Sequence, residues 1–445
     1  HISTPGGTTG LIASDKVAID FDGDGLVRYQ VDGAMARAVV EHSGRIDADG
    51  GRVVLQASAR DALLDTVLNV QGVVRARGVA ARNGEIYLDG GGSGVVSVSG
   101  RLDASTPEVA RQGGEVRVLG DRVGLFEQAR IDVSGAAGGG TVLIGGNYHG
   151  QGSERNATQT YVGPEVAITA DAGATGNGGK VVVWADDWTR YYGTISAKGG
   201  EKSGDGGFVE VSGKRNLTFD GPVVTSAANG KAGMLLLDPG DLYFSANALV
   251  GPTELTGPLV FQTADASHDF YVLSSRFVGD SSYTLQAHQD FILNTDANFG
   301  SSSGKNVSIT AGGSIRSNDL AITTAGANLT LQADSMTLGA VSTGGALTIN
   351  VTGAGQSATQ SAGFTAGTLT KQGTGTLELS RANTLGATTT QEGTLTASHA
   401  QALSDGKVTV ASGGTLNIND VTLSLAKGLD LSGDGAGGVG ALTGT

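Results

Sequence analysis

The sequence predicts an all-β fold in which the chain winds as a parallel β-helix and forms an elongated rod. Three observations lead to this prediction. A Gly-Gly-x-Val-x-Val phrase recurs along the first half of the chain, a small-residue strand phrase accompanies it, and no window has the period of a long amphipathic helix. Repetition at such a period is typical of solenoids, whose repeats bury their apolar faces against their neighbours.

The glycine phrase sets the length of one coil. Clear copies of it begin at Gly50, Gly113, Gly139, Gly178 and Gly206, and looser copies begin at Asn83 and Ala232. The spacing between successive copies runs from 26 to 39 residues. Because glycine adopts a positive φ without steric cost, we expect the glycine pairs at turns and the aliphatic residues after them in the core. Alternation then places Val181 and Val209 inside, and Lys180 and Glu210 on the exposed surface.

The strand phrase before the glycine pairs is equally regular. It reads Ile46-Asp47-Ala48 in its first copy, and similar phrases begin at Leu102, Ile131, Ile168 and Ile195. We expect its small residues where a coil bends tightly, namely Ala48, Ala104, Ala170 and Ala197. The longest interval separates Gly140 from Gly179, which predicts that residues Gly145 to Val162 leave the coil as a loop.

The style of the sequence changes along the chain and suggests four segments. Residues 1–240 carry the Gly-Gly repeats and most of the charge. Residues 241–300 contain a cluster of aromatic residues, which we interpret as a transition or a loop-bearing insert. Residues 301–366 alternate aliphatic residues with Thr, Ser and Asn, as expected of slimmer β-helix coils. Residues 367–445 hold Gly-Thr-Leu repeats spaced 18 and 21 residues apart, which continue the shaft.

Composition excludes several classes of partner. The 445-residue chain has 29 basic and 43 acidic residues, which gives a formal net charge of −14 at pH 7. This charge repels phosphate backbones and anionic lipid, so we expect no nucleic acid partner. No segment approaches the roughly 20 apolar residues of a spanning helix, so we predict no membrane span. The absence of cysteine excludes disulfides and thiolate metal sites, and nothing in the sequence predicts a cofactor.

Several unusual phrases in the first 240 residues carry a family resemblance. They occur, in order, at residues 20–26, 145–152, 156–164, 181–186, 192–197 and 206–213. Together they resemble large exoproteins of the filamentous-haemagglutinin type. The Gly-Thr-Leu repeats that begin at Gly375, Gly393 and Gly414 resemble the passenger-associated repeats of autotransporters.

The resemblance implies a two-partner-secreted adhesin of a Gram-negative bacterium with a right-handed parallel β-helix. Such a protein crosses the outer membrane through a dedicated two-partner-secretion transporter and is secreted or held at the outer cell surface. Some relatives bind matrix polysaccharide in biofilms and others attach to host cells. The expected partner is therefore a glycan or a host or matrix surface ligand. The chain begins His1-Ile2-Ser3, which predicts an internal fragment of a longer protein.

Two other functions remain open at this stage. The chain could be the β-helical stalk of a contact-dependent inhibition toxin, whose activity would lie in another domain. A polysaccharide-degrading enzyme can also use this fold, but it would need carboxylates that converge on one face. Asp186 and Asp187 are the nearest pair, and adjacent side chains on a strand point to opposite faces. We therefore expect no enzymatic activity.

A cluster of aromatic residues is the candidate binding site. It contains both tryptophans of the chain and two tyrosines within nine residues: Trp184, Trp188, Tyr191 and Tyr192. Aromatic side chains combine an apolar ring with a polar edge, which suits the faces and hydroxyls of sugar rings. Exposed rings here would bind a glycan; the alternative interpretation is that Trp184 fills a corner of a coil.

A weak calcium candidate lies near the amino terminus. Asp20, Asp22 and Asp24 occupy alternate positions of a D-x-D-x-D-G phrase, which matches the first half of a calcium-binding loop. The twelfth position, where that loop needs a carboxylate, is Val31, and Asp32 comes one residue late. An Asp- and Gly-rich turn between coils is the favoured interpretation, so we predict no metal site.

Overall fold

The computed structural model describes residues 1–21, 27–31, 34–60, 65–79, 83–247, 260–261 and 270–444. Nearly all of its regular structure is β-strand, and its helical segments are short 3-10 turns such as Tyr148–Gly150, Ser274–Phe277 and Ala436–Gly438. The chain divides into two compact units. Unit 1 contains His1–Asp238 and Leu249–Phe270, and unit 2 contains Pro239–Ala248 and Tyr271–Thr445. The predicted insert, residues 241–300, is therefore divided between the two units.

The strands of unit 1 form three stacks, which we call faces 1, 2 and 3. Face 1 contains Thr8–Ala13, Arg52–Ala57, Glu85–Asp89, Glu115–Leu119, Thr141–Ile144, Lys180–Ala185, Phe208–Gly213 and Met234–Leu237. Face 2 contains Val40–His42, Thr66–Val70, Val95–Val98, Arg122–Leu125, Gln159–Val162, Trp188–Tyr191 and Asn216–Phe219. Face 3 contains Ile2–Ser3, Arg45–Asp47, Val73–Arg75, Arg101–Asp103, Arg130–Asp132, Ala167–Thr169, Thr194–Ser196 and Val223–Val224.

Neighbouring strands within each face pair in parallel, and the chain visits faces 1, 2 and 3 in turn. Each coil thus adds one strand to every face, which confirms the predicted parallel β-solenoid. The aliphatic residues after the glycine pairs stack in register inside the coil, and each is at most 1% exposed: Val53, Ile86, Val116, Val142, Val181, Val209 and Leu235. The inward placement of Val181 and Val209 is therefore correct.

The glycine pairs lie at the turn from face 3 to face 1, as predicted. A Cβ atom built on Gly179 would lie 2.2 Å from the carbonyl oxygen of Gly140 in the neighbouring coil. A Cβ on Gly207 would lie 2.2 Å from the carbonyl oxygen of Gly179. Only glycine lets successive backbones approach so closely at this corner. The alanines of the preceding phrase are fully buried beside it: Ala48, Ala104, Ala170 and Ala197.

Within the described residues, two outgrowths leave the coils between face 1 and face 2. The first is an antiparallel hairpin of Val17–Phe21 and Val27–Val31. The second, which we call the cap loop, comprises residues 145–158 between Thr141–Ile144 and Gln159–Val162. The predicted loop is thus confirmed for residues 145–158, whereas residues 159–162 return to the coil as a face 2 strand. The calcium candidate Asp20 lies on the hairpin, and Asp22 and Asp24 lie outside the described residues.

Unit 2 also consists of parallel stacked strands. One stack contains Ser282–Ala287, Asn306–Ala311, Asn328–Ala333, Ala346–Val351, Thr368–Gln372 and Leu429–Leu431. A second contains Leu242–Ser245, Val272–Leu273, Phe291–Leu293, Ser314–Arg316, Ser335–Leu338, Ser357–Gln360, Thr376–Leu379 and Leu442–Gly444. The long strands Ala387–Ala397 and Lys407–Ile418 contribute to both stacks. A third contains Ala297–Phe299, Ile322–Thr324, Val341–Ser342, Phe364–Ala366 and Thr384–Leu385.

The coils of unit 2 are short. Register partners in its first stack are 22 residues apart from Val307 to Leu329 and 18 apart from Leu329 to Leu347. The first coils are filled by a cluster of aromatic rings with centroids 5.2–6.2 Å apart: Phe244, Phe277, Tyr283, Phe291 and Phe299. Part of the aromatic segment that we interpreted as an insert is therefore the core of this unit.

One inward position of unit 2 carries a lysine. The Nζ atom of Lys371 donates hydrogen bonds to the carbonyl oxygens of Gln372, Gly373 and Glu392 at 2.7, 2.7 and 3.1 Å. Burial lowers the pKa of this amine to about 8. The three carbonyl oxygens satisfy all three donors of the ammonium group, so this lysine serves to close a coil corner.

Candidate functional site

The candidate aromatic residue on face 1, Trp184, is covered. Its side chain points outward, but the cap loop lies across it and leaves it 3% exposed. A Cβ atom on Gly150 of that loop would lie 2.5 Å from Cε2 of the indole ring. The indole Nε1 donates a hydrogen bond to Oδ1 of Asp186 at 3.1 Å. The ring therefore anchors the loop, and glycine is needed where the loop crosses it.

The candidate aromatic residues of face 2 are largely buried as well. Trp188 is 2% exposed, and its ring stacks on Phe261 at 5.7 Å, with the guanidinium of Arg190 4.8 Å from its centroid. Tyr191 points into the core, where it stacks on Phe219 at 5.3 Å. The prediction of exposed rings is thus wrong for Trp184, Trp188 and Tyr191. The cap loop covers Trp184, Phe261 packs on Trp188, and Tyr191 lies inside the coil. Tyr192 is half-buried, and its ring lies 5.8 Å from that of Tyr161.

Tryptophan fluorescence checks this burial directly. Because the chain has two tryptophans and both are at most 3% exposed, we expect a blue-shifted emission that acrylamide quenches weakly in the native protein. Unfolding in guanidinium should shift the emission to the red and raise the quenching constant severalfold. Native quenching as strong as that of free tryptophan would contradict the covered positions of both rings.

A different feature of unit 1 has the shape of a binding site. A cleft of about 370 Å³ opens on the outward side of face 1. Three successive face 1 strands form its floor, and Tyr29 of the hairpin borders it. The ring of Tyr29 lies against Gly10, where a Cβ atom would come within 2.7 Å of it. The lining residues are Tyr29, Arg52, Val54, Gln56, Glu85, Tyr87, Glu115 and Arg117.

The register of the three strands aligns the polar side chains of the cleft in rows. Arg52 pairs in register with Glu85, which pairs with Glu115 in the next coil. Tyr87 likewise lies beside Arg117. Because neighbouring strands are about 4.8 Å apart, side chains in one row are in contact distance. The outward positions of face 1 therefore present a continuous polar surface along the stacking direction.

The charges in the cleft are paired with one another. Nη2 of Arg52 lies 2.6 Å from Oε2 of Glu85, and Nε of Arg117 donates to Oε1 of Glu115 at 2.8 Å. The side chains of these four residues are 14–32% exposed, so their free edges still face the cleft. A ligand that enters thus meets fixed donors and acceptors without a large net charge.

A buried carboxyl group organises one side of the cleft. Asp89 accepts hydrogen bonds from the hydroxyl of Tyr87 at 3.3 Å and from Nε2 of Gln56 at 3.2 Å. Burial raises the pKa of Asp89 and, together with the nearby Asp89 carboxylate, raises the pKa of Tyr87. The phenol therefore stays a neutral donor across the physiological pH range, and it is held in one orientation.

The cap loop contacts the edge of this cleft at Arg117. Nη1 of Arg117 lies 4.0 Å from Oε1 of Glu154. The guanidinium of Arg155 passes over Gly92, where a Cβ atom would be 3.2 Å from Nη1. The hairpin thus contributes Tyr29 to the lining of the cleft, and the cap loop lies at its edge beside Arg117.

The exposure predicted for Glu210 is wrong. Its side chain does point outward from face 1, but the cap loop covers it and leaves the residue 0% exposed. The neighbouring outward side chains in register are Val182 and Leu236, which are also buried. Lys180 is half-buried, and its Nζ donates to Oδ1 of Asn147 in the loop at 3.1 Å. Period-two alternation gives the direction of these side chains but does not say what lies over them.

A sequence signal for the cleft exists in the outward positions of the glycine phrase. In the copies that begin at Gly50, Asn83 and Gly113 these positions are mostly charged or polar, and in the copies at Gly139 and Gly178 they include Leu143, Val182 and Trp184. Outward apolar residues indicate cover by another segment, and outward polar residues indicate an open surface. The cleft was not predicted because the fold was inferred from the inward residues of the glycine phrase, and the cleft is formed by the outward ones.

Among the described residues, no three His, Asp or Glu side chains are grouped as metal ligands. Within the same residues, no helix is long and apolar enough to cross a membrane. No protein-family model matches the chain, and no curated protein matches it either.

Proposed function

We propose that this chain is part of a secreted or cell-surface bacterial adhesin, and that the face 1 cleft of unit 1 binds a polar glycan without a catalytic step. The observation that carries the proposal is the row of paired polar side chains along the cleft floor. The resemblance of the sequence to filamentous-haemagglutinin-type exoproteins supports secretion through a two-partner-secretion transporter. A glycan of the biofilm matrix or of a host surface is the ligand class.

The chemistry of the cleft favours hydroxyl-rich ligands. Guanidinium groups donate and carboxylates accept hydrogen bonds, while each sugar hydroxyl can do both. Since Arg52 and Arg117 already have carboxylate partners at 2.6 and 2.8 Å, a highly charged ligand finds little uncompensated charge. Tyr29 and Tyr87 add amphipathic rings, which combine contact area with few rotatable bonds.

The same pairing argues for binding rather than hydrolysis. A glycosidase needs one protonated carboxyl group and one free carboxylate on either side of the scissile bond. Glu85 and Glu115 stand in neighbouring coils, but each is held by an arginine. Their carboxylate oxygens are thus engaged in ion pairs and do not stand free on either side of a bond to be cleaved. The cleft is thus suited to hold a polymer unchanged.

Glycan binding by the purified chain tests this proposal. We expect a glycan array to reveal a neutral polar saccharide, and Arg117→Gln to weaken its binding by at least about tenfold. This loss follows because a hydrogen bond from a charged group contributes roughly 1.5–3 kcal/mol. Titration calorimetry gives the affinity, and circular dichroism checks that the fold is intact.

Arg215→Gln is the matched control, because its side chain is 76% exposed and it follows a face 1 strand at a distance from the cleft floor. Its affinity should equal that of the wild type. If the chain binds no glycan, or if both variants bind as the wild type does, the proposal is wrong. Release of shorter saccharides from the bound polymer would favour an enzyme instead.

A further inference from the structure

The cap loop is fastened to face 1 at one small polar cluster. The backbone N–H of His149 donates to both carboxyl oxygens of Glu210 at 3.2 and 3.3 Å. The imidazole Nδ1 of the same residue lies 2.8 Å from Oδ2 of Asp238. Lys180 holds Asn147 from the neighbouring coil, and Asn147 donates to Oε2 of Glu154 at 3.0 Å. These contacts hold the loop over an otherwise apolar surface.

The environment of Glu210 disfavours its charged form. Burial between Val182 and Leu236 raises the pKa of Glu210 to about 7 from an ordinary 4.5. The nearby Asp238 carboxylate acts in the same direction, while the N–H of His149 and the ammonium of Lys180 oppose it. The remaining titratable groups of the cluster are the His149 imidazole, which faces Asp238, and Glu154, which faces Asn147.

The closed loop also contains one unfavourable backbone conformation, at His149, whose φ is 54°. The positive φ of Gly145, Gly150 and Gly152 adds no steric cost, because these residues are glycines. A non-glycine residue in this region costs on the order of 1 kcal/mol. The closed conformation therefore depends on its contacts with face 1, of which the hydrogen bonds to Glu210 and Asp238 lie at the tip.

We propose that the cap loop is a pH-operated cover, which is closed while Glu210 carries a proton and opens when Glu210 ionises. Opening would expose Trp184 and would withdraw Glu154 and Arg155 from the border of the cleft. The effect on ligand binding rests on the proposed function, whereas the opening itself does not. A ligand that needs this border of the cleft should bind more weakly as pH rises.

The direction of the effect follows from linkage. A carboxyl group whose pKa is higher in the closed state than in the open state stabilises the closed loop when it is protonated. This stabilisation is complete below the ordinary pKa of the group and is lost as the pH rises through its closed-state pKa. With pKa values of about 7 and 4.5, the opening equilibrium should rise roughly 70-fold between about pH 5 and pH 8. Little further change is expected above that range.

Hydrogen exchange on the whole chain measures this opening without any ligand. We expect protection factors for residues 146–156, corrected for intrinsic exchange, to fall roughly 70-fold from about pH 5 to pH 8. Protection of the face 3 strand Arg130–Asp132 should stay constant. In Glu210→Gln the amide oxygen still accepts from His149, so the loop should stay closed at both pH values.

Glu165→Gln is the matched control, because Glu165 is exposed and remote from the cluster; it should behave as the wild type. The proposal of a pH-operated cover is wrong if hydrogen exchange in the cap loop does not change with pH in the wild type. It is also wrong if exchange changes equally in Glu210→Gln. If the loop opens as expected while the chain binds no glycan at any pH, the proposed function fails and the cover stands.

Discussion

Replacing Val209 by Asp should lower the free energy of unfolding of unit 1 by about 4 kcal/mol or more. Val209 is 0% exposed and stacks between Val181 and Leu235 in the inward column of face 1. The substitution removes a buried aliphatic group and places a carboxyl group where no partner exists, and each change costs on the order of 2 kcal/mol. Urea denaturation, followed by circular dichroism and by exchange in residues 208–213, measures the loss.

Val109→Asp is the matched control for this prediction. Val109 is 90% exposed, so the same substitution there should change the free energy of unfolding by less than about 0.5 kcal/mol. If both variants lose stability to a similar extent, the assignment of inward and outward positions is wrong.

Replacing Gly179 by Ala should cost about 3 kcal/mol, although it adds a single methyl group. The added Cβ would lie 2.2 Å from the carbonyl oxygen of Gly140 and 2.9 Å from the Cβ of Ala170. Neither the backbone of Gly140 nor the Cβ of Ala170 can rotate away, so the coil must shift as a whole, and such overpacking costs roughly 1–3 kcal/mol or more. The midpoint of urea denaturation should fall accordingly.

Gly44→Ala separates this effect from the general response to alanine. A Cβ at Gly44 meets no atom within 4 Å and its φ is not in the left-handed region. This variant should be as stable as the wild type or slightly more stable, because alanine reduces the entropy of the unfolded chain. Equal destabilisation of both variants would show that the glycine corner is not closely packed.

The regular part of the fold follows from the sequence because it depends on local periodicity. The positions of Val181 and Val209 inside the coil, and of the glycine pairs at its corner, repeat in every copy and are fixed by the same stacking geometry. The loop at residues 145–158 follows from a copy that is longer than its neighbours. These features need only the spacing within one coil and the rule that coils stack.

The outward surface follows from the sequence much less well. Glu210 and Trp184 point outward as alternation requires, yet both are buried because the cap loop folds back over them. The cleft depends on Tyr29, which the hairpin brings onto face 1, and on pairs such as Arg52 and Glu85, which are 33 residues apart. Pairs such as Arg52 and Glu85 follow only once the coils are stacked in register. Contacts made by irregular segments have no period, so the outward residues indicate whether a surface is covered or open but not which segment covers it.

The direction of the backbone hydrogen bonds has a mechanical consequence for unit 1. In stacked parallel strands these bonds run from coil to coil, along the stacking direction. A load applied along that direction stretches the bonds of one interface at a time, so the outermost coil should peel away at low force. A load applied along the strands shears all bonds of an interface together and should meet far greater resistance. The direction in which unit 1 is pulled would thus decide how much tension its coils withstand.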